Sequence, residues 1–340
     1  MIDALIQLGI FLAQTFILVV AILLLVAGIM AIVSKGKLKD KVRIKVSKLN
    51  KHYSELRDKL NEAILSKEEL KKAEKVLKKT KKTSKKKDQS RVFVINFNGD
   101  IKASAVTGLR EEITAILTVA KPTDEVVVRL ESAGGLAHSY GLAASELQRI
   151  KDQKIKLTIA VDKVAASGGY MMACVADQLL AAPFAIIGSI GVVAQLPNFN
   201  KLLKKHDVDY EMITAGEYKR TLTLFGENTE QGKKKVQEEV DEIHTLFKDF
   251  IKEHRPNIDL KKVATGEHWF AKRALDYDLV DKLITSDDYL LQASQKYALY
   301  EISYKKKKKF SEKFTSSMHS AFKSCLFTWR QKEVEESLFL

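Results

Sequence analysis

The chain predicts an α/β protein: a layered domain built on a mainly parallel sheet, preceded by a membrane anchor and a basic linker. Three observations carry this. From Arg91 onward, β-branched runs alternate with stretches of helical periodicity, the pattern of a parallel sheet covered by helices. From Ala4 to Ser34 no side chain is charged. Between these two regions lies a segment dominated by lysine.

Residues 1–34 read as the anchor. Phe16 to Val33 is almost wholly apolar, and about 20 such residues cross the hydrocarbon layer as a helix. A cleavable signal peptide has a basic start and a shorter apolar run. This start carries Asp3 and neither Lys nor Arg, so a retained, single-pass transmembrane helix is expected.

Residues 35–90 read as a basic stalk. Lys35 to Arg91 holds 22 Lys or Arg against 8 Asp or Glu, a surplus equal to the net +14 of the whole chain. A nucleic-acid-binding fold spreads its charge over the domain. Confinement to one segment excludes nucleic acid from the expected partners; the run either touches the anionic headgroups of the lipid bilayer or serves as a plain linker. Leu49, Tyr53, Leu56, Leu60 and Ile64 recur at helical spacing, which predicts a helix or coiled-coil stalk. The run LKKTKKTSKKKDQS that follows is a solvated charge tract.

Residues 91–300 form the expected folded domain. RVFVINFNG, DEVVVRLES and KIKLTIAVD are predicted strands. SAVTGLREEITAILTVA is a predicted helix with Ser104 as its N-cap, and HSYGLAASELQRIKD is another. SGGYMMACVAD predicts a short apolar helix. QLLAAPFAIIGSIGVVA predicts a buried strand pair broken at Pro183 and Gly188; a second membrane span is the competing reading of this stretch. EMIT predicts a further strand. A long helix begins at the Asn228–Thr229 cap and stops before Pro256. Residues 301–340 read as a basic tail, either an amphipathic helix or a loose terminus.

Only two cysteines, Cys174 and Cys325, are present. Their spacing makes neither a disulfide framework nor a metal knuckle, so no metal and no cofactor is expected. Ser167 is the candidate nucleophile. It stands at a strand-to-helix junction, with Gly168 and Gly169 allowing a substrate close to the backbone and the new helix offering amides to an oxyanion. Gly134 and Gly135 follow another strand end and could supply a second such amide. Ser-Gly-Gly and Gly-Gly also occur in plain turns. None of the seven histidines has an acidic orienter, and His138 alone is held in reserve as a base. A lysine can replace histidine if neutral. A free amine is uncharged in only about one copy in several thousand at neutral pH, and burial raises that fraction. Lys219, in TAGEYKRTL, is one candidate among many that composition does not separate.

VAASGGYMMA, IGSIGVV, AGEYKR and TGEHWF…AL…LVD resemble, in order, the motifs of the signal peptide peptidase A family, and in particular its SohB-type membrane branch. The resemblance implies a Clp protease/crotonase-like fold of repeated β-β-α units. It implies a serine endopeptidase with a Ser–Lys dyad: Ser167 as nucleophile, Lys219 as general base, Ser189 holding that lysine, and Gly135 with Gly168 as oxyanion amides. It further implies peptide or protein substrates, such as signal-peptide remnants and membrane-associated polypeptides, a homo-oligomer, and a bacterial inner membrane location. The side of that membrane is open. Lysines after the anchor point to the cytoplasm, whereas the best-known members of the family work in the periplasm. Two positions depart from the family pattern: Ala133 replaces its proline, and Asp278 stands where glycine is common. A crotonase-like acyl-CoA lyase or hydratase, and a non-catalytic membrane scaffold, are the competing functions.

Overall fold

The computed structural model describes residues 10, 14–22, 24–25, 44–70, 72 and 90–305. The chain divides into two units, Met1–Arg43 and Ile44–Leu340. In the first, residues 14–22 and 24–25 are helical. Among the described residues no helix is long and apolar enough to cross a membrane. The remainder of the expected anchor lies outside the described residues, as do most of the lysine tract, the tail from 306 and Cys325.

The second unit is organised by one ten-stranded sheet. Its strands are β1 (Ile44–Lys48), β2 (Arg91–Gly99), β3 (Glu125–Ser132), β4 (Lys156–Val161), β5 (Val164–Ala166), β6 (Gln178–Ala181), β7 (Ile186–Gly188), β8 (His268–Phe270), β9 (Lys282–Leu283) and β10 (Ala298–Tyr304). The main path runs β1-β10-β2-β3-β4-β6-β9. A branch leaves the end of β3 through β5 and β7 to β8. Pairing is parallel throughout except β1 with β10 and β7 with β8.

The helices are α1 (Leu49–Ile64), α2 (Val106–Leu117), α3 (Ala137–Asp152), α4 (Gly168–Ala173), α5 (Asn200–Lys205), α6 (Glu230–His254), α7 (Leu260–Val263), α8 (Ala271–Leu275) and α9 (Ser286–Ser294). Strand alternation sorts side chains between two layers. Phe93, Ile95 and Phe97 of β2 enter the large core with α2, α3 and α4, while Val92 and Val94 face a smaller cluster under α1 and α9. Burial removes the apolar residues of this sheet from water, at about 25 cal/mol per Å².

Several expectations change on contact with the structure. The predicted stalk is not wholly a linker: Ile44–Lys48 pairs antiparallel with β10, and α1 lies on the sheet through Leu49 and Tyr53. Ser104 does not cap α2, whose N-cap is Ala105. Asp100 captures the Ser104 amide and hydroxyl at 2.8 and 2.7 Å instead. Glu211–Thr214 is irregular and exposed, and it pairs with no strand among the described residues. QLLA and IIG are both strands, yet they belong to different branches and do not pair with each other. The long helix does begin at Thr229, whose hydroxyl accepts the Gly232 N–H at 3.1 Å. Asp278 has φ 57°, the left-handed conformation that suits the glycine of the family pattern and that Asp tolerates.

Candidate active site

Register assembles the site. β5 is threaded between the end of β3 and β7, with Ser132 opposite Ala165 and Ala166 opposite Gly188. Three strand ends therefore lie side by side, and the chain leaves them as Ala133–Gly134–Gly135, Ser167–Gly168 and Ser189. Ligands bind at such carboxyl ends in open α/β sheets. These residues line one cleft of about 1010 Å³. Its opposite wall is a stripe of α6 at helical spacing: Val236, Val240, Ile243 and Phe247, with Glu239 and His244 among them. Met171, Val192 and Thr265 close the sides.

Ser167 sits at a tight junction. Its N–H donates to the Gly188 carbonyl at 2.8 Å, and its own carbonyl accepts from Met171 at 3.0 Å to begin α4. Its backbone angles are φ 52° and ψ −121°. These are the angles of the first central position of a type II′ turn, which glycine dominates. A serine held there is strained, and such strain gathers at functional sites. Its Oγ has no hydrogen-bond partner among the described residues, so it is free for a base and a substrate.

The glycines beside it are required by close approach. Gly134 has φ 90°, and a Cβ there would lie 2.7 Å from the Gly168 nitrogen and 2.8 Å from Ser167 Cβ. A Cβ on Gly168 would lie 2.5 Å from Tyr140 Cγ. Neither the Gly135 nor the Gly168 N–H donates to an acceptor among the described residues. Two unengaged amides beside an unengaged hydroxyl are what acyl transfer needs, one pair to hold the developing oxyanion and one atom to attack. Ala133, in place of the family's proline, leaves this turn intact.

Lys219 is placed differently. It does not line the cleft. It lies in the exposed segment 211–220, where its N–H donates to Gly216 at 3.2 Å. Neighbouring side chains are apolar and bare: Ile213 is 98% exposed, and Tyr210, Met212 and Phe225 are exposed as well. Thus Ser167, Gly135, Gly168 and Ser189 are brought together in this single chain, and Lys219 is not among them.

Other groups are set aside or added by the geometry. His138 is exposed and outside the cleft. Burial pushes the Cys174 thiol up to about 12, so it is no thiolate nucleophile at neutral pH. No cluster of metal-binding side chains occurs among the described residues. Sequence reasoning passed over His244 as a surface residue among charges. It lines the cleft, and its Nε2 is buried without a hydrogen-bond partner. The signal available was its position four residues after Val240 on the apolar stripe of α6.

Comparison with known proteins identifies the family. The pattern of Peptidase family S49 N-terminal matches residues 3–147, and that of Peptidase family S49 matches residues 149–299. The probable protease SohB of Haemophilus influenzae is 45% identical over 99% of this chain and 99% of its own length. The probable protease SohB of Buchnera aphidicola from Acyrthosiphon pisum is 57% identical over 68% of this chain and 69% of its own. That of Buchnera aphidicola from Schlechtendalia chinensis is 47% identical over 81% and 94%. Matched by the two family patterns from residue 3 to residue 299 and by SohB relatives over 68–99% of its length, the chain belongs to peptidase family S49 and is a protease of the SohB type.

Proposed function

We propose that the chain is a membrane-anchored serine endopeptidase that cuts membrane-associated peptides with a Ser167–Lys219 dyad completed between copies. The observation that carries this reading is Ser167 on a strained turn, its Oγ unengaged, beside the unengaged amides of Gly135 and Gly168. Ser167 Oγ attacks the scissile carbonyl carbon while Lys219 Nζ takes its proton. The carbonyl oxygen becomes an oxyanion that accepts from the Gly135 and Gly168 amides. The C–N bond then breaks as Lys219 returns the proton to the leaving amine. Water, deprotonated by the same amine, hydrolyses the acyl-enzyme and regenerates the serine. Ser189, on the adjoining strand end, accepts from or donates to the lysine amine and orients it.

A lysine acts as a base only in its neutral form, which burial favours. Lys219 is exposed in one chain and flanked by bare apolar side chains. Large exposed apolar patches mark interaction surfaces. Packing against a second copy buries that segment and brings the amine to the neighbour's Ser167, so the active form is a homo-oligomer. The cleft's apolar walls suit the hydrophobic segments of signal-peptide remnants and damaged membrane polypeptides. The uncharged stretch of residues 4–34 anchors the chain beside such substrates.

Mixing two inactive variants tests this. Ser167→Ala and Lys219→Ala are each inactive alone. Reassembled together at equal amounts, they regain roughly a quarter of wild-type activity, since one site in about four joins an intact serine to a neighbour's intact lysine in a symmetric assembly. No recovery in mixed oligomers refutes the shared site. Proteolysis that persists in purified Ser167→Ala refutes the dyad itself.

A further inference from the structure

Tyr140 lies in the first turn of α3 and is fully buried, yet its hydroxyl has two protein partners. It donates to the Asp100 carbonyl at 2.8 Å. Its oxygen is also 2.5 Å from Ser132 Oγ. A carbonyl cannot donate, so the single tyrosine proton belongs to the Asp100 bond and Ser132 must donate to Tyr140. Ser132 Oγ is then left to accept the Gly134 N–H at 3.1 Å. The protons are fixed by elimination along one directional chain: Gly134 N–H to Ser132 Oγ–H to Tyr140 Oη–H to Asp100 C=O. The loop it reaches is tied back by the Leu136 N–H, which donates to Ile101 O at 2.9 Å.

Both ends of this chain, and the ring between them, bear on the reacting geometry. Gly134 precedes the Gly135 amide and packs against Ser167 and Gly168. The Tyr140 ring lies directly under the Gly168 Cα, where even a methyl group would overlap it. We propose that Tyr140 and Ser132 form a hydroxyl latch that sets the Gly135 amide against the Gly168 amide, making both of them positioning residues for the Ser167 reaction. The inference rests on the oxyanion role given to those amides above. A phenylalanine would fill the same volume and support Gly168 equally well. The hydroxyl is what joins the ring to the turn carrying Gly135. In a chain of hydrogen bonds each member polarises the next, so cutting either link loosens the whole.

The test uses the full-length protein in detergent micelles, with a peptide substrate and a peptide boronate. Boron adds Ser167 Oγ to form a tetrahedral adduct whose oxygen occupies the oxyanion position. Deleting an oxyanion donor costs about 10²–10³ in kcat, and loosening one costs a part of that, so Tyr140→Phe lowers kcat about tenfold. KM stays within about twofold, since the apolar walls that bind substrate are untouched. Boronate affinity falls by the same factor as kcat/KM. Ser132→Ala has the same effect, and the double variant is no worse than either single one, because both cut one chain. If Tyr140→Phe fails to fold, Ser132→Ala breaks the latch from its other end. Wild-type kcat and boronate affinity in both variants, with Ser167→Ala inactive, overturn the latch alone. So does a loss confined to KM, or losses that multiply in the double variant. Activity surviving Ser167→Ala overturns the reading on which the latch rests.

Discussion

The backbone at Ser167 yields a stability prediction whose sign is opposite to the usual one. Glycine to alanine ordinarily stabilises a protein by about 0.4–1 kcal/mol, because alanine restricts the unfolded chain. At φ 52° and ψ −121° the folded state reverses this. A side chain there costs about 1–3 kcal/mol of strain, which glycine does not incur. Subtracting the unfolded-state term leaves Ser167→Gly more stable than Ser167→Ala by about 0.5–2 kcal/mol. Both variants lack the nucleophile, so activity does not confuse the comparison. Urea unfolding of the two full-length proteins in the same detergent gives the difference directly, read as a shift in midpoint at constant slope. If the alanine variant equals or exceeds the glycine variant, the turn is not strained. The idea that the fold gives up stability to present this hydroxyl then fails.

Two further predictions concern the frame. Glu112 is buried in α2 and accepts the Tyr304 N–H at 2.7 Å. Burial raises its pKa above the ordinary 4.5, with the Tyr304 bond opposing. A raised value means that the folded state holds the proton more tightly, so its contribution is complete below about 4.5 and is lost as pH climbs through the higher folded value. Glu112→Gln keeps the acceptor and removes the buried charge. It should raise the melting temperature at pH 7, by an amount that shrinks towards zero as pH falls to the ordinary carboxylate range; a constant or growing gain on acidification would contradict this. Asn50 in α1 donates to Ser294 O and Tyr297 O at 3.0 and 2.9 Å and accepts from Leu299 N–H at 2.7 Å. Asn50→Ala should cost about 1–3 kcal/mol, with the amides of β1 and α1 exchanging faster than in the parent; unchanged exchange would mean that α1 is held by its apolar contacts alone.

Much of the frame was legible because its signals are local. β2, β3 and β4 announce themselves by β-branched runs, and α6 by a Thr229 cap and a proline two residues past its end. The meeting of the two glycine-bearing turns follows from strand ends sharing one edge. What escaped depends on distant partners. β1 has two apolar residues among lysines and becomes a strand only because β10, some 250 positions later, lies open beside it. Glu211–Thr214 has the right composition and no such neighbour among the described residues. Ser104 is a good cap in isolation and lost that role to a nearer bond with Asp100. His244 was hidden by its charged surroundings in sequence, whereas helix geometry turns it towards Val240 and the cleft. Lys219 stands apart from all of these. Its motif is local, but the described residues of one chain leave it exposed.

The pairing of β1 with β10 carries a consequence for engineering. Ile44 and Tyr304 are cross-strand partners, so the start of β1 and the end of β10 are only about 5 Å apart. A handful of glycines and serines could join them, and closing so short a gap has a small entropic penalty. A circularly permuted version, opened at the exposed turn Pro122–Thr123, should therefore fold with the same sheet order.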